Sequence, residues 1–181
     1  MQAATEAFGR RGYLGVNLKD VVERIGLTKG ALYYFFPTKQ DLAVEIVNRY
    51  VGRWGPIVAE VGTTCDDALD AVVEMSYRAA RAVQTDPIAR AGTRLLIEGS
   101  LVPADLPRPF EDWTLEISRL LQLGQSRGQL RVEANPAVVA EILVAFLYGA
   151  HSISNGPDEM SDLSARLDQF WDLLLRSLRP I

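Results

Sequence analysis

His151, Cys65 and the carboxylates Asp66, Asp67 and Asp70 are the side chains whose types could do chemistry here. Each has a plainer reading. His151 is the one histidine in 181 residues and lies in an apolar run, with no serine or cysteine nucleophile at a readable spacing. That pattern suits a buried or interfacial ring better than a general base. Cys65 is the one cysteine, so an internal disulfide is impossible, and no CxxC or Cys/His cluster signals a metal. A lone thiol fits a reducing cytoplasm. The three aspartates crowd as metal ligands would, yet they open a helix whose N-terminal dipole favours negative charge. No glycine-rich phosphate loop occurs. Neither catalysis, a metal nor a cofactor is expected.

A second kind of chemistry, recognition, is written between Val16 and Asp41, VNLKDVVERIGLTKGALYYFFPTKQD. Asn17 is a good N-cap, and Leu18, Val21, Val22 and Ile25 follow at helical spacing. Gly26 stands where the chain must leave that helix, a position for a positive φ. Thr28 can cap a short helix, Lys29 to Phe35, with Ala31, Leu32 and Phe35 or Phe36 inward and Lys29, Gly30, Tyr33 and Tyr34 outward. Pro37 stops it. Thr38 caps the next helix, with Asp41 completing something close to a capping box. A helix this short, presenting lysine, bare backbone and two tyrosines, is built for a major groove rather than for a core.

The elements that must hold this reader are all helical. Met1 to Arg11 places Ala4, Ala7 and Phe8 on one side and ends at Gly12. A longer helix runs from 39 to about 61, with a kink or break expected at Gly55-Pro56. Further helices are expected from Thr64 or Cys65 to Thr85, from Pro87 to about Leu101 behind the cap Asp86, and from Phe110 to Arg127. Ala137 to Ser154, behind Asn135-Pro136, and Asp162 to Leu178 complete the set. No strand signal has weight. The fold class is all-α, about nine helices, divided as a helix-turn-helix domain over 1–45 and a helical-bundle domain over 46–181.

Val138, Val139, Ile142, Leu143, Ala145, Phe146, Leu147 and Tyr148 wrap most of their helix, and Leu163 to Leu178 carry a broad apolar stripe. Helices this apolar must be buried on several sides, which predicts a homodimer closed by a four-helix bundle. No apolar run approaches the ~20 residues of a bilayer span, and no signal-peptide pattern opens the chain, so no membrane partner is expected. The net charge of −4 argues against nucleic acid, but its distribution does not. Residues 1–50 carry seven Lys/Arg against five Asp/Glu, and the remainder twelve against eighteen. A weakly basic reader on an acidic body results.

The run AATEAFGRRGYLGVNLKDVVERIGLTKGALYYFFPTKQDLA resembles the DNA-binding domain of the tetracycline-repressor (TetR) family almost end to end, most diagnostically in TKGALYYFFPTKQDL. That family's first helix usually begins further upstream, behind a short basic arm. Phe35 stands where it often has histidine. The resemblance implies a dimeric repressor on a pseudo-palindromic duplex operator, with Thr28, Lys29, Gly30, Tyr33, Tyr34 and Lys39 at DNA-contacting positions. Lys29 can donate to guanine or phosphate, and the tyrosines offer hydroxyls to phosphate and ring edges to thymine methyls.

IARAGTRLLIEG and the later PFEDW resemble the effector domain of the γ-butyrolactone receptor subgroup. The matching residues are Arg90, Ala91, Gly92, Arg94, Leu95, Pro109, Phe110 and Trp113. This implies a small lipophilic signalling ligand with a polar head: a butyrolactone, a butenolide or a furan carboxylic acid. Trp113 would line its pocket, with Tyr77, Thr93, Leu96, Ile117 and Phe146 as further candidates. Rival expectations are a TetR-type regulator of efflux or lipid metabolism that binds a drug or acyl compound, and a sensor acting through a protein partner. A ligand can release DNA only by preferring an arrangement that DNA does not, here by shifting 87–101 against the 39–61 helix.

Overall fold

The computed structural model describes residues 1–25, 33–153 and 162–180. Nine α-helices are delimited among them: α1 Gln2–Arg11, α2 Leu18–Ile25, α3 Lys39–Val51, α4 Trp54–Thr64, α5 Ala68–Thr85, α6 Pro87–Ile97, α7 Pro109–Ser126, α8 Pro136–Ile153 and α9 Asp162–Leu178. Residues 33–35 are also helical, and a 3-10 turn, Gly99–Leu101, follows α6. The described residues contain no strand. The all-α expectation holds.

The local signals act as their chemistry dictates. Asn17 Oδ1 accepts from the Lys19 amide at 3.0 Å, and Asp86 Oδ1 accepts from Ile88 at 2.8 Å behind Pro87. Asn135 Oδ1 takes the Ala137 amide at 3.1 Å behind Pro136. Thr38 and Asp41 make a reciprocal capping box. Each satisfies amides that an α-helix leaves without partners.

The helix expected over 39–61, with its kink or break at Gly55-Pro56, is two helices that part just before that pair. α3 ends at Val51 and α4 starts at Trp54, ahead of Gly55-Pro56. Pro56 has no N–H, and its ring would strike the carbonyl of Gly52 in a continuous helix. Restarting at Trp54 places Pro56 in a first turn, where the missing donor has no consequence.

Two compact units result: Met1–Trp54 with Thr85–Arg108, and Gly55–Gln84 with Pro109–Ile181. Residues 85–108, expected in the second functional segment, are thus folded with the N-terminal ones. In the first unit α6 packs on both α1 and α3. Phe8, Val21, Leu42, Ile46, Val47 and Leu95 are almost fully buried there. α6 approaches α3 so closely at Gly92 that a β-carbon would lie 2.5–2.8 Å from the Tyr50 side chain.

The second unit is built on Val61, Leu69, Val72, Leu121, Leu143, Leu167 and Trp171. Polar ties link α5 to α9 and to the residue that follows it: Trp171 Nε1 donates to Ser76 Oγ at 2.8 Å, and Arg179 pairs with Asp70 at 2.5 Å. α8 is long and apolar enough, by length and composition, to cross a membrane. It nevertheless packs on α7 and α9, with Val139, Ala140, Leu143 and Val144 in the core.

Candidate nucleic-acid interface and effector residues

The capped ends of α2 and α3 bracket the reader. Thr28, Lys29 and Gly30, with the expected Gly26 turn, lie outside the described residues. Tyr33 is 42% and Tyr34 81% exposed. Phe35 is 71% exposed and meets Tyr34 edge to face at 5.2 Å. Phe36, half-buried, is therefore the inward ring of the expected pair. Three consecutive aromatic residues, two of them largely solvated, gain little from burial within this chain and are free to meet base edges and sugars.

Lys39 was expected to contact DNA. Its Nζ instead donates to the carbonyls of Tyr13 at 2.9 Å and Val16 at 3.0 Å, and sits 4.2 Å from the Tyr13 ring centroid. An ammonium with two carbonyl partners and an aromatic face is held within its own unit. Its contribution is to fix the turn that leads into α2.

Four effector candidates share the second unit. Ile117 on α7 is buried, and Tyr77 and Phe146 pack against the same core. Trp113 joins an aromatic cluster, with Phe110 at 5.9 Å and Tyr148 at 6.4 Å. Phe146 stacks on Phe170 at 4.3 Å. Tyr77 donates its hydroxyl to Asp168 at 2.5 Å. Burial first, then the Asp168 hydrogen bond and the charges of Asp168 and Asp172, push its pKa up to about 12.

Thr93 and Leu96 lie instead on α6, in the first unit, and both are buried. The Thr93 hydroxyl makes no hydrogen bond among the described residues. Leaving a buried hydroxyl unsatisfied costs about 1–3 kcal/mol. Asp168 escaped sequence reasoning: 91 residues separate it from the phenol it meets, and no local pattern signals the pair.

The residues that first suggested catalysis take structural places. Asp67 Oδ1 caps α5 through the Leu69 and Asp70 amides, at 2.8 and 3.0 Å. His151 occupies the last turn of α8. Among the described residues no group of three His, Cys, Asp or Glu side chains could hold a metal. An open depression of about 390 Å³ is lined by Thr64, Cys65, Asp70, Val73, Glu74 and Arg78. It contains none of the six effector candidates, and its lining mixes charged with uncharged side chains.

The pattern described as bacterial regulatory proteins of the tetR family matches residues 1–46, and that of the tetracyclin repressor-like C-terminal domain matches residues 66–180. The chain belongs to the TetR family. It is 31% identical over 178 residues to the A-factor receptor protein of Streptomyces griseus, covering 98% of this chain and 62% of that protein. A crystal structure of a γ-butyrolactone receptor, an ArpA-like protein, superposes with a TM-score of 0.86 at 29% identity, covering 99% of this chain and 86% of the other. CprB from Streptomyces coelicolor, a TetR-family protein solved with its biological operator sequence, superposes with a TM-score of 0.87 at 28% identity, over 99% and 86%. This TetR-family chain is thus homologous to γ-butyrolactone receptors over nearly its full length, and its homologues are transcriptional regulators rather than enzymes.

Proposed function

We propose that this protein is a cytoplasmic, homodimeric repressor that binds a pseudo-palindromic operator and is released by a small lipophilic effector of the γ-butyrolactone, butenolide or furan class. Residues 1–45 read the DNA, and 46–181 supply effector recognition and dimerisation. Thr28, Lys29, Gly30, Tyr33 and Tyr34 contact the duplex, while Lys39 holds the entry turn. The candidate effector contacts are Tyr77, Trp113, Ile117 and Phe146 within the second unit and, separately, Thr93 and Leu96 on α6 within the first.

The observation that carries the reading is the Thr93 hydroxyl. It is buried without a hydrogen-bond partner among the described residues, on a helix folded into the DNA-reading unit. A lactone carbonyl or ligand hydroxyl would satisfy it, on the very helix whose displacement a reader would sense. Dimerisation is supported by exposed apolar residues on the two helices already expected to pair: Val138, Ile142 and Ile153 on α8, and Leu173 on α9.

Calorimetric titration with a synthetic long-chain γ-butyrolactone tests the effector half. Wild-type protein should bind it, and Trp113→Ala should weaken binding at least about tenfold, since truncating a buried aromatic contact removes about 1.4 kcal/mol or more. Equal affinities would mean that Trp113 lies outside the effector site.

A further inference from the structure

The turn between α1 and α2 is gripped by charged side chains from two other helices. Glu98, the C-cap of α6, accepts the Tyr13 amide on Oε2 at 2.6 Å. Its other oxygen accepts from Arg94 Nε at 2.9 Å. The Arg94 guanidinium also donates, through one Nη1, to the carbonyls of Gly9 at 3.3 Å and Arg10 at 2.9 Å. These belong to the last turn of α1, whose carbonyls have no intrahelical donor. Lys39 of α3 donates to the Tyr13 carbonyl. One residue, Tyr13, is therefore held at its N–H by α6 and at its C=O by α3.

The backbone is shaped to fit this grip. Gly12 has φ +66, and a β-carbon there would strike the Glu98 carboxylate. Only glycine gives both the left-handed turn and the room for the carboxyl group. Arg94 and Glu98 are four residues apart and so share a face of α6. Thr93, adjacent to Arg94 and buried, points elsewhere round the same rigid cylinder.

We infer that Arg94 and Glu98 are positioning residues of the DNA reader, a clasp that passes the position of α6 directly to the turn entering α2. Building on the repressor reading above, this clasp is the link between effector and operator. A shift of α6 at Thr93 moves the clasp as one body, and the Tyr13 peptide follows it relative to Lys39. The signal need not travel along α3. Charge-assisted hydrogen bonds give the link its stiffness, because breaking the one to Glu98 leaves the part-buried Tyr13 amide without a partner.

The test uses the full chain with Glu98→Gln, which keeps the size of the side chain and removes its charge. Three readouts are compared with wild type: hydrogen exchange at the Tyr13 amide, affinity for a duplex that the wild-type protein selects from random sequences, and melting temperature. The clasp predicts Tyr13 exchange about tenfold faster and operator affinity about tenfold weaker, the loss of one charge-assisted bond, with melting close to wild type. Faster exchange with unchanged operator affinity would make the clasp merely structural, and unchanged exchange would show that it does not hold the turn. Either overturns the inference. If Glu98→Gln does not fold, Arg94→Lys, which keeps the Glu98 charge pair but loses the fork to the α1 carbonyls, is held to the same readouts. If the wild-type protein selects no duplex, the repressor reading fails, and Tyr13 exchange alone decides whether the clasp exists.

Discussion

Tyr33 and Tyr34 meet solvent rather than core, which separates their effect on binding from their effect on stability. Tyr33→Ala should weaken operator binding about tenfold or more by fluorescence anisotropy, within the range for a base-proximal contact. Its unfolding free energy should stay within about 0.5 kcal/mol of wild type, as for other exposed positions. A large loss of stability would show that Tyr33 is part of the core instead.

Tyr77 makes a prediction in pH. Its pKa is raised from 10.0 to about 12, so between those values the folded state holds a proton that the unfolded state has lost. The stability from the neutral phenol is therefore complete below pH 10 and disappears as pH rises toward 12. Urea melts of wild type and Tyr77→Phe should diverge in that window, with wild type alone showing the extra loss. Parallel curves would mean that the Tyr77 phenol is neither buried nor held by Asp168 in solution. The caps at Asn17, Thr38, Asp86 and Asn135 were legible in the sequence because cap and amide lie within three residues. Lys39 was not, since its acceptors at Tyr13 and Val16 are more than twenty residues away, and a lysine at the first position of a helix reads equally as a phosphate ligand.

Helices are where the sequence is most readable, and their ends are where it misleads. Periodicity and caps located seven of the nine delimited helices one by one, and spanned α3 and α4 together with a break expected at Gly55-Pro56, a little beyond where it falls. The glycine-proline pair marks the need for a break and not its place, because proline is tolerated throughout a first turn. Gly92 raises the opposite issue. In an isolated helix Gly→Ala would stabilise by up to about 1 kcal/mol. Here the added β-carbon meets the buried Tyr50 Cβ, Cγ and Cδ1, atoms close to the backbone that cannot swing aside. Gly92→Ala should therefore destabilise by about 1–3 kcal/mol in urea melts, the usual cost of overpacking. A stabilised variant would mean that α3 and α6 stand further apart than described.

At the scale of the molecule, the division into units could not be read from the chain. Residues 85–108 leave the second unit's sequence neighbourhood and fold with 1–54, a long-range choice driven by Gly9, Gly92 and the α6 face rather than by any linker composition. The proposed dimer draws on what the second unit leaves uncovered. Leu173 is 76% exposed on α9, and burying such a side chain fully is worth about 1.5–3 kcal/mol. Leu173→Glu should shift sedimentation toward the monomer and weaken operator binding with it, since a pseudo-palindrome rewards two linked readers. A dimer of unchanged strength would place the interface elsewhere. A repressor of this kind stands on the coupling of effector to DNA, and coupling is a ratio of affinities. The decisive measurement is operator affinity with and without a saturating synthetic γ-butyrolactone. Weakening of about tenfold or more, abolished in Trp113→Ala while that variant still binds DNA, is the predicted result; an operator held equally tightly by the effector-saturated wild-type protein would contradict it.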